Sequence, residues 1–271
     1  MKMKNVLSVA ALSVASVMSL SSCSKEKEAT TPVVEAGISQ EVIGQIKSMG
    51  FGTADAKKVD GGYLVEGDIM LTNESLAEAA DYKMLRVGDE EQYRTNNLVS
   101  VGTGRTISIR VSTALPSAYV TATNELINRY NALGLRIRFT RVTSGGNIVL
   151  NPSPAGAGYL ASAGFPSGGN PFGQVLVNRN AIGTANASTY IATILAHEIG
   201  HCIGFRHTDY AGRQYSCGGA AVNEGASTVG AVYIPGTPSG NDPNSWMLAC
   251  VGNGVNRPFN TNDRTALNYV Y

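Results

Sequence analysis

Apolar residues recur along the first third of the chain at spacings that predict short helices and a strand. After Ser39, a residue type suited to a helix N-cap, they return every three or four positions until Gly50, which predicts one short helix. Tyr63 to Leu71 is a strand-like run, and Glu74 to Lys83 has helical spacing. The polar stretch from Gly88 to Asn97 is the predicted boundary to the next unit.

Beyond residue 105 the pattern changes to strands that alternate with helices. The predicted strands cover residues 106–111, 135–142, 148–150, 159–163 and 175–177. The predicted helices cover residues 119–133, a long stretch capped by Ser188 that runs to about 203, and the chain end from about 262. Residues 208–258 are rich in loops. This layout predicts an α+β fold with a twisted mixed sheet and a loop-rich C-terminal subdomain that ends in a helix.

Charge divides the chain into two parts of opposite sign. Residues 24–94 hold 14 acidic and 8 basic side chains, a net of −6, whereas residues 95–271 hold 6 acidic and 11 basic ones, a net of +5. Opposite signs favour two units that attract each other, although chance sorting of solvated faces gives the same count. The overall net charge of +1, without a basic patch that carries aromatics, argues against nucleic acid as a partner.

The first residues have the composition of an export signal. A positive start is followed by the apolar stretch Val6 to Leu20, which is too short for a stable membrane helix. Cys23 follows small residues, and Leu20 to Cys23 resembles the lipobox of bacterial lipoproteins. We therefore expect a signal peptide over residues 1–22 and a tether over 23–37. A lipid on Cys23 would anchor a monomeric protein to the cell envelope, unless maturation releases it. An ordinary cleaved signal with unmodified Cys23 is the alternative.

Export implies an oxidising compartment in which disulfides persist. With Cys23 set aside, Cys202, Cys217 and Cys250 remain, so one bridge and one free thiol is the simplest account. The sequence does not fix the pairing. Cys217–Cys250 is favoured because Cys202 lies in a predicted helix beside candidate metal ligands.

All three histidines of the chain lie in one eleven-residue motif, His197 to His207. His197 and His201 are four positions apart, so on a helix both imidazoles lie on one face. Gly204 permits the reversal that ends the helix and returns His207 as a third ligand. Three neutral imidazoles with an open fourth position are typical of a catalytic zinc site. Surface histidines on an amphipathic helix are the alternative, which this spacing disfavours.

Glu198 follows His197 and so points about 100° away around the helix, which suits a general base better than a ligand. A carboxylate there can deprotonate a metal-activated water and return the proton to the leaving amine. No histidine remains for a serine triad, and Cys202 lies on another helix face, so a cysteine protease is disfavoured. A non-catalytic surface lipoprotein with a structural zinc is the rival function, but it has no use for the base.

The motif resembles that of the metzincin zinc peptidases, and its His-Glu-Ile-Gly-His core resembles most closely the bacterial protease B-like HEIGH metallopeptidases. The resemblance covers residues 38–271 and implies a zinc-dependent endopeptidase that holds one catalytic zinc ion and cleaves proteins or peptides. It also implies a methionine turn in which Met247 packs beneath the imidazoles, a role close to that of any gap-filling core methionine. Because Ala249 stands where some relatives have a tyrosine, no tyrosine ligand is expected.

The same resemblance implies an edge strand that pairs with extended substrate, formed by Tyr159, Leu160, Ala161, Ser162 and Ala163. The stretch from Leu248 to Pro258 is expected to contact the residue after the scissile bond.

Val65 to Ile69 resembles a stretch of the prosegments of astacins, in which an aspartate occupies the open coordination position of the zinc ion. Asp68 is therefore a candidate latency switch, and cleavage between Arg86 and Arg105 would release activity. An exposed turn in a small N-terminal unit is the alternative. The predicted organisation is thus an acidic prosegment or regulatory unit over residues 38–94 and a zinc peptidase domain over 95–271.

Overall fold

The computed structural model describes residues 37–49, 51–78, 92–225 and 229–271, all within one compact unit. The predicted signal peptide, the tether up to residue 36 with its Cys23, and the end of the predicted helix at Lys83 lie outside these residues. Within the described part, no helix is long and apolar enough to span a membrane. The division of the chain at residue 94 stays a prediction.

The N-terminal part is a three-stranded antiparallel sheet between two short helices. Its elements are α1 (Gln40–Ser48), β1 (Lys57–Val59), β2 (Gly62–Val65), β3 (Ile69–Thr72) and α2 (Asn73–Glu78), with strand order β1-β2-β3. Ser39 caps α1 as predicted, because its side-chain oxygen accepts a hydrogen bond from Val42 N at 3.2 Å.

The single strand predicted over Tyr63 to Leu71 is wrong. A tight turn splits the run into β2 and β3, because Glu66 and Gly67 have φ values of 55° and 87°. Glycine adopts such φ values freely, whereas a glutamate there is strained and persists only where surrounding contacts offset the cost. The turn places Asp68 directly before β3, at the end of a hairpin.

The remaining elements form the larger part of the fold. In chain order they are β4 (Tyr93–Arg94), β5 (Arg105–Val111), α3 (Ser117–Asn131), β6 (Ile137–Val142), β7 (Ile148–Pro152), β8 (Ala161–Ser162), β9 (Gln174–Val177), α4 (Arg179–Ile182), α5 (Ser188–Cys202), α6 (Gln214–Cys217), β10 (Val232–Tyr233) and α7 (Thr261–Val270).

The main sheet has the strand order β6-β5-β7-β9-β8. The first four strands are parallel, and β8 pairs with β9 in the antiparallel sense, so the sheet is mixed as expected. A separate two-stranded antiparallel pair joins β10 to β4. The expected α+β layout, with a histidine-bearing helix and a C-terminal helix after a loop-rich stretch, is confirmed.

Helix α5 lies in the centre of the hydrophobic core. Every residue from Tyr190 to Cys202 is buried, and α5 packs against α3, where the Tyr130 hydroxyl donates to Ala196 O at 2.8 Å. A hydroxyl that is buried in the core needs a hydrogen-bond partner of this kind. The prediction that Ser188 caps this helix is wrong by one position, since Ala187 is the cap and Ser188 begins the first turn.

Candidate metal centre

The end of α5 brings the three histidines together. Nε2 of His201 lies 3.1 Å from Nε2 of His197 and 3.2 Å from Nε2 of His207. The chain reverses at Gly204, whose φ is 108°, and a Cβ there would lie 2.9 Å from Asn97 O. Only glycine fits this close passage without strain, so it allows His207 to return to the same point.

Two of the rings are fixed by backbone carbonyls. Nδ1 of His197 lies 3.0 Å from Trp246 O, and Nδ1 of His201 lies 2.9 Å from Phe205 O. A carbonyl oxygen can only accept, so each Nδ1 carries the proton and donates it. Burial first, and then the neighbouring imidazoles, hold the pKa of His201 well below its ordinary value. The neutral ring therefore directs the Nε2 lone pair at the other two histidines.

The third ring is oriented by a carboxylate. Glu224 is fully buried, and its two oxygens lie 2.9 and 3.1 Å from Nδ1 of His207. Burial lowers the pKa of His207, but attraction to Asp68 and Glu224 outweighs it and raises the pKa above its ordinary value. A carboxylate that accepts the Nδ1 proton increases the basicity of the ligating nitrogen. Sequence reasoning missed Glu224, because it lies in the loop-rich stretch without any recognisable spacing.

The nitrogens fit a single zinc ion. Two ligands about 2.0–2.1 Å from one tetrahedral ion would be roughly 3.3 Å apart, close to the observed spacings. Nitrogens with lone pairs turned towards each other at 3.1 Å repel unless a cation lies between them. Asp68 and the three histidines form one cluster that could hold a metal ion. Nitrogen and carboxylate donors suit zinc.

Glu198 lies beside the ligands but points elsewhere. Its side chain is buried and lines a cavity of about 240 Å³ next to His197, and its Oε2 is buried without a hydrogen-bond partner among the described residues. Burial raises the pKa of Glu198 well above its ordinary value, and repulsion from Asp68 adds to this effect, while His207 opposes it. A buried carboxylate oxygen without a partner suits proton transfer.

Met247 packs against α5 beneath the candidate ligands. Gly200 lies between His197 and His201 on α5, and a Cβ there would come within 2.4 Å of Met247 Sδ and 3.1 Å of Trp246 Nε1. Glycine at this position therefore lets the turn approach the helix. Met247 is completely buried, and its backbone N–H donates to Ser245 Oγ at 3.2 Å.

A carboxylate also supports this turn. Asp263 accepts hydrogen bonds from Trp246 N at 3.2 Å, Asn260 N at 2.9 Å and Gln92 Nε2 at 2.9 Å. Burial raises the pKa of Asp263 to about 6, although the three donors lower it in part. Trp246 is the residue whose carbonyl orients His197, so Asp263 connects α7 to the metal centre.

Asp68 reaches the point at which the three rings meet. Its Oδ2 lies 3.1 Å from Nε2 of His207, 3.4 Å from Nε2 of His197 and 4.0 Å from Nε2 of His201. Burial raises the pKa of this carboxyl, but the contacts with His207 and His197 outweigh it and hold the pKa below its ordinary value. The carboxylate is therefore charged, and it takes up the position that a fourth ligand would need.

The backbone around Asp68 pairs with the expected substrate strand. Ala163 N donates to Asp68 O at 2.9 Å, and Met70 N donates to Ala163 O at 2.6 Å, in a parallel bridge between Ile69 and Ala163. Of the predicted edge strand, only Ala161 and Ser162 form β8. Two of the other three predicted members, Tyr159 and Leu160, line the cavity beside Glu198.

Ion pairs join the acidic N-terminal part to arginines of the larger part. Glu66, the residue with the strained φ, accepts from Arg206 Nη2 at 3.1 Å, and both side chains are buried. The Arg206 guanidinium also lies over the ring of Phe51, 5.6 Å from its centroid. At the surface, Arg213 Nη1 pairs with Asp55 at 2.9 Å. These contacts surround the hairpin end that carries Asp68.

The cysteines pair as favoured. Cys217 and Cys250 form the disulfide, and Cys202 is a buried free thiol. Burial raises the pKa of Cys202 well above its ordinary value, so it stays a protonated thiol and a poor nucleophile.

Comparison with known proteins identifies similar chains. The family described as dual-action HEIGH metallo-peptidase matches residues 63–271. No curated protein matches the chain. The crystal structure of myroilysin aligns with a TM-score of 0.36 and 16% identity, covering 60% of this chain and 82% of that one. High choriolytic enzyme 1, a hatching enzyme zinc-protease from Oryzias latipes (Medaka fish), aligns with a TM-score of 0.35 and 17% identity, covering 55% of this chain and 70% of that one.

Proposed function

The chain belongs to the dual-action HEIGH metallopeptidase family, and from this premise we propose an endopeptidase with Glu198 as its general base and a latent full-length form. Family membership makes it a zinc metallopeptidase that acts on proteins or peptides. The single observation that carries the proposed mechanism is the convergence of three Nε2 atoms beside a buried carboxylate with an unpartnered oxygen.

The division of labour among the residues follows from their partners. His197, His201 and His207 would hold zinc through Nε2, since each Nδ1 is engaged with a carbonyl or with Glu224. Bound zinc supplies Lewis acidity, which lowers the pKa of a water towards about 7 and polarises the peptide carbonyl. Glu198 accepts the proton of the attacking water and delivers it to the leaving amine. No side chain forms a covalent bond to the substrate.

A structural zinc site is the second candidate, because Asp68 reaches the fourth position and a closed site is typical of structural zinc. The buried carboxylate of Glu198 favours the peptidase. A structural site gains nothing from a base whose oxygen has no partner, and burying such a group destabilises the fold.

The catalytic proposal is tested by zinc content and casein cleavage together. The protein, activated by limited proteolysis, should contain one zinc per chain and lose cleavage on chelation. Glu198→Gln should keep the zinc and lose cleavage by about 100-fold or more, since general base catalysis contributes 10²–10⁴-fold. Glu125→Gln on α3, whose side chain is 39% exposed, is the matched control and should cleave like wild type. If Glu198→Gln cleaved casein as fast as wild type, the role of Glu198 as general base would be contradicted, and the structural zinc site would remain as the candidate.

Latency is supported by the two ways in which the N-terminal part occupies the site. The Asp68 carboxylate lies where the water would bind, and the backbone from Asp68 to Met70 uses hydrogen-bonding groups of Ala163 that an extended substrate would need. The ion pairs of Glu66 with Arg206 and of Asp55 with Arg213 stabilise this arrangement. Cleavage between Arg86 and Arg105 would release the segment.

The cellular location remains part of the proposal. The lipobox-like residues Leu20 to Cys23 support export from a bacterial cell and anchoring to the envelope, at the outer membrane or cell surface, through a lipid on Cys23. Wild-type protein should incorporate labelled fatty acid and sediment with membranes, and Cys23→Ala should do neither. Equal membrane association of the two would remove the anchor from the account.

A further inference from the structure

The cavity beside the metal centre lies at one end of the expected substrate strand. It is lined by Gly158 to Ala161 but not by Ala163, and on its other sides by Ile194, Glu198 and the segment after Met247. Its volume of about 240 Å³ is sufficient for one amino-acid side chain. The cavity opens next to His197, so a side chain that enters it must flank the cleaved bond.

The direction of the expected substrate strand indicates which of the two residues that flank the cleaved bond enters the cavity. An extended peptide adds most favourably to a sheet edge in the antiparallel sense. Its residues before the cleaved bond then lie near Ala163, and those after it lie near Gly158. Since the cavity is at the Gly158 end, it receives the residue that follows the cleaved bond.

One wall of this cavity carries a cation that forms no direct ion pair among the described residues. Arg257 lines the cavity and is half-buried, and its Nη1 donates to Cys250 O at 3.2 Å. Among the described residues, no carboxylate forms an ion pair with Arg257. Arg213, which also lines the cavity, does have such partners, because it pairs with Asp55 of the N-terminal part at 2.9 Å and with Glu224 at 3.9 Å. The carboxylates that act on Arg257, those of Asp209, Asp242 and Asp263, lie beyond ion-pair distance. A half-buried guanidinium without a carboxylate in direct contact favours an anionic ligand.

The latent form already places acidic groups in this cleft. Glu66 and Asp68 line the same cavity, and both belong to the acidic N-terminal part. Their release would leave Glu198 as the remaining carboxylate among the lining residues, opposite Arg213 and Arg257. The cleft would then become more positive, because Arg213 would keep only its longer contact with Glu224, while Ile194, Leu248 and Val251 keep its walls apolar.

We propose that the activated enzyme prefers peptide bonds followed by an acidic residue, glutamate above all, and that Arg257 is the residue that selects it. The apolar walls contact the methylene groups of the side chain, and the guanidinium pairs with its carboxylate. This inference rests on the proposed peptidase function and specifies its substrate class.

The test uses the full-length protein after activation by limited proteolysis, with two peptides that differ only in glutamate or glutamine after the cleaved bond. The kcat/KM ratio of glutamate over glutamine peptide should be about 10- to 100-fold for wild type, the range of a hydrogen bond between charged groups. Arg257→Gln should bring this ratio close to one, and Arg257→Glu should reverse it and favour a lysine peptide. Arg138→Gln removes an exposed arginine from β6 and should keep the wild-type ratio.

The outcomes separate this inference from the function beneath it. Cleavage of both peptides at equal kcat/KM by wild type, or a ratio unaffected by Arg257→Gln, would overturn the acidic preference and leave the peptidase intact. A preference for a large apolar residue after the bond would assign the cavity to its apolar walls and also overturn the inference. The absence of any cleavage by activated wild type would overturn the proposed function, and the inference with it.

Discussion

The Asp68 carboxylate lies 3.1 Å from Nε2 of His207, although the two residues are separated by 139 positions in the chain. The contact is made between the acidic N-terminal part and the ring whose opposite nitrogen is held by Glu224. One imidazole therefore has a carboxylate on each side. In the proposed mechanism, the inner one, Glu224, would orient His207 as a ligand, and the outer one, Asp68, would occupy the position of the attacking water.

Removal of the outer carboxylate should weaken latency. Asp68→Ala in the uncleaved chain should raise casein cleavage by about 10- to 100-fold, because a charge-assisted contact contributes about 1.5–3 kcal/mol. The increase should stay below that of cleaved wild type, since the backbone of residues 68–70 still pairs with Ala163. Asp60→Ala, an exposed acidic residue between β1 and β2, is the control. Unchanged latency in Asp68→Ala would remove the switch.

Removal of the inner carboxylate should weaken zinc binding. Glu224→Gln should lower zinc affinity by about 10- to 100-fold in competition with a chromophoric chelator, the usual effect of losing a carboxylate that orients a ligating histidine. Glu125→Gln should bind zinc like wild type. If Glu224→Gln bound zinc with wild-type affinity, the contact between Glu224 and His207 would not support metal binding.

Asp263 should make stability depend on pH. Because its pKa is raised from 3.8 to about 6 in the folded state, its ionisation opposes folding. The stability that protonated Asp263 contributes is thus fully present below pH 3.8 and is lost as pH rises through about 6. Asp263→Asn removes that loss, and rotation of the Gln92 amide can present its unpartnered Oε1 to the new amide.

From pH 4 to pH 7, the free energy of unfolding of Asp263→Asn should therefore rise relative to wild type by about 2–3 kcal/mol. Urea unfolding of both proteins at the two pH values measures this difference. Parallel pH profiles for the two proteins would contradict the assignment of an elevated pKa to Asp263.

The disulfide should stabilise the cavity wall. Cys217 and Cys250 are 33 positions apart, and Cys250 lines the cavity next to Glu198. A Cys217→Ser/Cys250→Ser double variant should lose about 2–4 kcal/mol of unfolding free energy, the usual contribution of such a bridge. Thermal unfolding with and without reductant measures it. Reductant should lower the Tm of wild type and leave the variant unaffected, whereas equal Tm values for both proteins would contradict the prediction.

The sequence predicted the parts of the site that depend on local spacing. His197, His201 and Glu198 follow from the geometry of one helix, and His207 follows from the single glycine at which that helix can reverse. Asp68 was found through a short resemblance in its own hairpin. In each case the information lies within a few residues.

The sequence did not reveal the groups that reach the site across the fold. Glu224 lies in a loop without periodicity, and the Trp246 carbonyl that orients His197 is a backbone atom, which no residue type signals. Arg257 falls within the expected contact stretch from Leu248 to Pro258, but the sequence did not single it out. The charge distribution gave one hint of Glu224. Few carboxylates follow residue 95, and any of them that is buried needs a partner. The turn at Glu66 was missed because its strained φ depends on the ion pair with Arg206, a tertiary contact.

The central claim is that three Nε2 atoms bind one zinc ion. Crystals of the zinc-loaded full-length protein, measured with X-rays above and below the zinc absorption edge, test it most directly. One anomalous peak should lie about 2.0–2.1 Å from Nε2 of His197, His201 and His207. The absence of a peak there, or a His207 ring turned away from the other two, would contradict the account.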